Sequence, residues 1–185
     1  YPIIRSPVQT FWAKILISKI QSRRFCLEKR DMAIIENVER VGRRIEAAAG
    51  YLKHNIVFLV TNNTSISASA RWPNIVLISA GACRDFRNED ELAVILGHEV
   101  GHIVIWTEQG RPESSLDEVR AFEDQADIRA VEFSMKAGYY PNAAVQWEWR
   151  MMGYQYQMGL DIFADDSSST HPSQIKRIRA INQVL

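Results

Sequence analysis

The sequence predicts an α+β fold, mainly helical with a small sheet. Two observations carry that expectation. Apolar residues recur at helical spacing through most of the chain, and two short β-branched runs, NIVFLVTN and NIVLIS, interrupt the helical pattern. At 185 residues, 46% hydrophobic and 24% charged, the chain has the size and composition of one globular domain with a proper core. We therefore expect a single domain over 1–185, with amino-terminal helices in 1–50 and a core in 51–185. The net charge is zero, so no nucleic-acid partner is expected.

The elements follow in order. Ser6-Pro7 reads as an N-cap and a proline at the first helical position, opening a helix to about Arg24. Asp31 can cap a second helix, whose Ile34, Val38, Val41 and Ile45 step by helical intervals before Gly50 ends it. A strand in 55–62 and another in 74–79 follow, with the small polar stretch NTSISASARWP between them as a loop or irregular edge strand. Asn88 and Glu91 form a capping box at the start of the helix that holds HEVGH, residues 98–102. After a polar loop, Ser115 can cap a helix from Leu116 to about Ala137, closed by Gly138 and Pro141. A further helix starts near Pro141 and carries Trp147, Trp149, Met151 and Met152. The last follows Pro172, with Ile175, Ile178, Ile181 and Leu185 on one face.

HEVGH carries the chemistry. His98 and His102 differ by about 40° around a helix axis, so both imidazoles can reach one ion. Zinc suits them, because a catalytic zinc takes three protein ligands and keeps a position for water. Glu99 can face that water and take its proton, which is peptidase chemistry. A third ligand is needed. The extended motif would place glycine at 105 and histidine at 108, where the chain has Ile105 and Glu108. A glutamate from a later helix is the other solution, and EDQAD (123–127) offers Glu123, with Asp127 on the same face to accept a hydrogen bond from a ligand histidine. Glu118 and Glu132 lack the matching downstream aspartate. Gly97 and Gly101 leave a smooth stripe that close approach of the Glu123 helix would explain.

These residues resemble the zinc metalloproteases related to HtpX and to the CAAX prenyl protease, a gluzincin group. The similarity rests on NEDELAVILGHEVGHIV (88–104), EDQAD, KAGYYP (136–141) and STHPSQIKRI (169–178), in the family's order. The resemblance implies a gluzincin-like fold with a small, mostly antiparallel sheet beside the active-site helix. It implies one zinc per chain on His98, His102 and Glu123, Glu99 as general base, and Asp127 behind the ligands. It also implies that the strand Ile75–Ser79 lines the cleft, where an extended substrate can pair with its edge. Two departures stand out. Only 20 residues separate His102 from Glu123, fewer than in many relatives, which leaves a more open cleft. SASA (67–70) replaces the family's usual N-A-x-A.

His171 is expected at the site, stabilising the oxyanion or approaching zinc in a closed resting state, with Tyr139, Tyr140, Tyr154 and Arg177 as competitors for the first role. The expected function is a zinc metalloendopeptidase acting on peptide or unfolded-protein substrates, in protein quality control at a membrane or in the periplasm. The alternatives are a non-catalytic zinc-binding interaction module and a small gluzincin peptidase of another lineage. Retention of Glu99 argues against the first, since zinc binding does not need it.

Three features bear on location. Residues 1–30 carry seven basic groups and one acid, a net of +6, so the other 155 residues sum to −6. Mixed with Phe11, Trp12, Ile15, Leu16, Ile17 and Ile20, that charge fits either an anionic membrane surface or a helix packed on the core. No apolar run is long enough for a membrane-spanning helix. The chain begins Tyr1-Pro2 rather than with methionine, which suggests a processed product with a signal or anchor removed. Cys26 and Cys83 lack metal-type spacing and read as two free thiols, with a disulfide as the alternative.

Overall fold

The computed structural model describes residues 29–50, 56–111, 115–162 and 171–185. The expected first helix, most of the basic segment and Cys26 lie outside the described residues. Helix α1, Lys29–Ala48, buries Val38, Val41 and Ile45 along the expected face. It is already helical at Lys29, so Asp31 lies inside its first turn rather than capping it. Gly50 closes it with φ of 84°, a left-handed conformation that glycine takes without steric cost.

Three strands follow: β1 (Val57–Thr61), β2 (Ala68–Arg71) and β3 (Ile75–Ser79). Their spatial order is β1-β3-β2. β1 and β3 pair in parallel from Val57↔Ile75 to Thr61↔Ser79, and β2 and β3 pair antiparallel from Ala68↔Ile78 to Arg71↔Ile75. The sheet is thus mixed rather than mostly antiparallel. The chain reverses twice, over 62–67 and again over 72–74, which returns β3 to the direction of β1. β3 is consequently the central strand, and the free edge expected of Ile75–Ser79 belongs to β2. The expectation for β3 comes from the family resemblance; the run itself, with Ile75, Val76, Ile78 and Ser79 buried, has the apolarity of the buried centre of a sheet.

β3 runs directly into a short helix that the sequence reading leaves out, α2 (Ala80–Asp85). Ser79 Oγ accepts the Ala82 N–H at 3.0 Å and donates to Ser65 O at 2.6 Å, so one hydroxyl caps α2 and pins the 62–67 loop. That loop crosses so closely that a Cβ at Gly81 would fall 2.1 Å from Thr64 O.

Helix α3 (Glu89–Gln109) is the centre of the molecule, buried on most sides from Glu91 to Ile105. Asn88 Oδ1 caps it by accepting the Glu91 N–H at 3.0 Å. The Glu91 carboxylate reaches back to the Arg87 N–H at 2.9 Å and is held in a fork by Arg150, at 2.6 Å to each oxygen. Helix α4 (Leu116–Lys136) is capped by Ser115, whose Oγ accepts the Glu118 N–H at 3.2 Å, and Gly138 follows it at φ of 80°. Helices α5 (Ala143–Gln157) and α6 (Gln174–Asn182) complete the fold. Trp147 and Met152 of α5 are buried while Trp149 is exposed, and α6 buries Ile178 and Ile181.

The main core lies between α1, the sheet and α3, and a second cluster joins Val94 of α3 to Ala130 and Val131 of α4, Ala143 and Ala144 of α5, and Ile181 of α6. α3 and α4 touch along the glycine stripe. A Cβ at Gly97 would sit 3.1 Å from Ala130 Cα and O, and one at Gly101 3.1 Å from Arg129 Cβ and 3.3 Å from Ala126 Cα. Close approach of the Glu123 helix therefore accounts for both glycines. Among the described residues, no helix is long and apolar enough to cross a membrane. Cys83 is a free, half-buried thiol, and burial pushes its pKa up to about 12.

Candidate active site and metal centre

The α3–α4 contact decides where the site lies. With glycine on one helix and alanine on the other, the backbones come close enough for side chains one turn away to meet. His98 and His102 project from α3, and Glu123 from α4, into one buried cluster. His98 Nε2 and His102 Nε2 are 3.0 Å apart, His98 Nε2 and Glu123 Oε2 3.3 Å, and His102 Nε2 and Glu123 Oε1 3.4 Å. Tetrahedral ligands at zinc-nitrogen and zinc-oxygen bond lengths of about 2.0–2.1 Å stand roughly 3.3 Å from each other. The three side chains thus come together near the spacing a small tetrahedral cation needs, with one Glu123 oxygen facing each histidine.

The supporting groups are equally specific. His98 Nδ1 donates to Asp127 Oδ1 at 2.9 Å, which leaves Nε2 of the neutral ring as an acceptor facing the cluster. Arg177 of α6 donates to Asp127 through Nε (2.8 Å) and Nη2 (2.6 Å), and its Nη1 lies 2.8 Å from Glu148 Oε1 of α5. A line of buried polar groups therefore runs His98–Asp127–Arg177–Glu148 and ties α3, α4, α6 and α5 together. His102 Nδ1 has no hydrogen-bond partner; its ring is held instead by stacking on Trp106, with centroids 5.6 Å apart.

The electrostatics agree with a cation-binding centre. Burial pushes the Glu123 carboxyl up, but hydrogen bonds from His102, His171 and His98 outweigh it and hold the group well below the usual carboxylate range. Burial also opposes ionisation of Asp127, and the Arg177 guanidinium overrides it, keeping this carboxyl ionised. Burial lowers the pKa of His98, yet its bonds to Asp127 and Glu123 raise it to about 10. Glu148 moves the other way from Glu123 and Asp127, its pKa raised by burial.

Glu99 is 6% exposed and lines the cleft on both sides of the cluster, without a hydrogen bond to any described residue. One cavity, of about 600 Å³, extends past Ile66, Ile95, Trp147, Met151 and Leu160; the other, of about 430 Å³, extends past Arg71, Trp72, Trp106, Arg111 and Phe122. Ala68, His98, Glu99 and His171 border both, so the two form one cleft with these residues at its middle. A further cavity, of about 640 Å³ between α1 and the start of α3, lies away from them.

The structure brings His98, Glu99, His102, Glu123, Asp127 and His171 together. The His171 Nδ1 lies 2.8 Å from Glu123 Oε2. It does not bring in the three tyrosines: Tyr139 is buried under Arg44, Tyr140 accepts from Asn142, and Tyr154 donates to Asp85. Arg177 borders the cleft but is committed to Asp127 and Glu148. Sequence reasoning named Arg177 for another role and missed Glu148, Trp106 and the two cleft arginines.

Comparison with known proteins fits this arrangement. A putative beta-barrel assembly-enhancing protease of Vibrio cholerae serotype O1 is 27% identical over 73 residues, and the beta-barrel assembly-enhancing protease of Yersinia pestis is 30% identical over 73 residues. In each case the aligned part is 40% of this chain and 15% of the relative, so the match spans a small fraction of those longer proteins. Neither relative is named as HtpX or a CAAX prenyl protease, and the closer kinship expected with those two is not what the comparisons support. The family description "Peptidase family M48" matches residues 33–105 and 114–185, both ligand-bearing helices included, and the chain belongs to that family of metalloproteases.

Proposed function

We propose that the chain is a zinc-dependent endopeptidase, with His98, His102 and Glu123 holding one zinc per chain and Glu99 as general base. The observation that carries this reading is the convergence of His98 Nε2, His102 Nε2 and the two oxygens of the Glu123 carboxylate, with contacts of 3.0–3.4 Å, and an unengaged carboxylate one residue from the first ligand. Bound there, zinc supplies Lewis acidity and lowers the pKa of water to about 7. Glu99 takes the proton of the attacking water and returns it to the departing amine, which a carboxylate free of other hydrogen bonds can do. Asp127 fixes the tautomer and orientation of His98, and Arg177 fixes Asp127. His171, exposed at the middle of the cleft, offers an N–H to the carbonyl oxygen as charge develops on it once its ring turns from Glu123, which it meets through Nδ1 at 2.8 Å.

The substrate is an extended peptide paired with β2. Ser67 O accepts the Ser79 N–H at 2.9 Å, so the alternation of an antiparallel ladder directs Ser69 and Arg71 toward β3 and leaves the N–H and C=O groups of Ala68 and Ala70 at the outer edge. Unfolded protein satisfies such an edge, and a folded one does not. The two relatives are named for enhancing beta-barrel assembly; for this chain the proposed role is protein quality control in the periplasm or at a membrane. The basic residues 1–30 would then meet an anionic lipid surface, and 1–185 would act as one catalytic domain. Membership of family M48 replaces the reading of a gluzincin from another lineage. A non-catalytic zinc module would have no use for Glu99. The test is hydrolysis of an unfolded protein before and after chelation. Activity lost on chelation and restored by zinc supports the proposal; no cleavage by the zinc-loaded chain refutes it.

A further inference from the structure

The cleft is chemically unequal along its length. At the α5 end its walls are apolar, from Ile66, Ile95, Met151 and Leu160. At the other end the lining includes two arginines, one of which, Arg111, stands over an aromatic ring. Arg71 closes β2, and Arg111 follows α3. Trp106 makes two such contacts: its ring meets the His102 ring at 5.6 Å and the Arg111 guanidinium at 5.2 Å. That stack ties the position of Arg111 to the active site itself. Both arginines are exposed, and among the described residues neither has a carboxylate partner. The nearby Glu108 faces Arg129 at 3.6 Å. Two guanidinium groups without a counter-charge among the described residues, lining a cavity of about 430 Å³, form a ready receptor for a carboxylate, which guanidinium binds in a fork geometry. Val119 and Phe122 in the same cavity suit the methylene groups that carry an acidic head.

We propose that this end of the cleft is a specificity subsite for an acidic substrate side chain, placed on the amino-terminal side of the cleaved bond. The inference rests on the peptidase reading above. The side follows from the strand. β2 runs from the apolar cavity, which Ile66 and Ser67 border, to the arginine cavity, which Arg71 and Trp72 border. A substrate paired antiparallel to the outer edge runs the opposite way, so its amino-terminal part lies beside Arg71 and Arg111 and its carboxyl-terminal part beside Met151 and Leu160. The antiparallel sense is the more stable of the two per residue.

The experiment uses internally quenched peptides that differ only by Glu, Gln or Lys at one position, scanned across the cleaved bond, with the site of cleavage read by mass spectrometry. The expected result is that kcat/KM follows Glu > Gln > Lys at a position before the bond, by about fivefold for Glu over Gln, the yield of exposed ion pairs. Added salt should shrink the ratio. The ratio should fall to about one in the double variant Arg71→Gln/Arg111→Gln and be partly kept in Arg71→Lys/Arg111→Lys. Cleavage without preference for Glu, a preference only after the bond, or one untouched by the double substitution overturns the subsite and leaves the peptidase reading standing. If the zinc-loaded chain cleaves none of the peptides, the peptidase reading fails and the subsite with it.

Discussion

Replacing Asp127 by Asn is nearly isosteric, yet the structure makes it costly. Oδ1 accepts from His98 Nδ1 at 2.9 Å and from Arg177 Nη2 at 2.6 Å, and Oδ2 accepts from Arg177 Nε at 2.8 Å. The Asn carbonyl can keep the first two contacts. Its NH₂ must then face the Arg177 N–H, donor against donor, at a position only 3% exposed. One charge-assisted hydrogen bond is lost and Arg177 keeps a single counter-charge, Glu148. A hydrogen bond to a charged group contributes about 1.5–3 kcal/mol, and breaking a buried pair from one side costs about 3–5 kcal/mol. Because Glu148 remains, we expect a loss of about 2–4 kcal/mol in the chelated protein, measured by urea unfolding. Zinc affinity, measured by chelator competition, should fall about 10- to 100-fold through the loosened His98. Arg177→Met should weaken zinc less, because Asp127 still meets His98. Wild-type stability and zinc affinity in Asp127→Asn would refute the claim that this line of groups positions the ligand.

The glycine stripe gives a prediction of unexpected sign. Gly97→Ala and Gly101→Ala should each lower Tm, although alanine favours a helix by about 1 kcal/mol. The new Cβ would meet backbone atoms at 3.1–3.3 Å, and overpacking of this kind costs about 1–3 kcal/mol; an increase in Tm would show that α4 yields freely. The buried pair of Glu91 and Arg150 makes stability depend on acid. Burial raises the Glu91 pKa, but hydrogen bonds from Arg150 outweigh it and hold it below its ordinary value. Its contribution is therefore present above about pH 4.5 and lost as pH falls through the lowered folded value. Glu91→Gln should accordingly be less stable at pH 7 and show a shallower loss of Tm on acidification; parallel curves for variant and wild type would contradict this.

Local geometry made much of the site legible. His98 and His102 share a face because they lie one turn apart on one helix, with Glu99 beside the first, and EDQAD places Glu123 and Asp127 together by the same four-residue spacing. Even the glycines could be read, because a residue that costs helix stability twice at one-turn spacing asks for a close neighbour. Features that depend on distant chain segments were hidden. Glu148 is one of several polar residues on α5 until α6 brings Arg177 against it. β3 looked like the cleft edge because nothing local reveals that two reversals put it between β1 and β2. α2 spans only Ala80–Asp85, too short for a period, and its one local sign was the capping Ser79. Arg71 and Arg111 are far apart in sequence and are brought together only as lining of one cavity.

The most direct measurement is zinc content and hydrolysis of an unfolded protein in the same preparation of Glu99→Gln. Glu99 makes no hydrogen bond to the described residues, and His98, His102 and Glu123 are untouched by the change. The variant should therefore keep about one zinc per chain and the wild-type Tm. Its hydrolysis should fall at least about 100-fold, the scale of a lost general base. Hydrolysis near wild type with zinc retained would contradict the assignment of Glu99, and with it the account of how this cleft works.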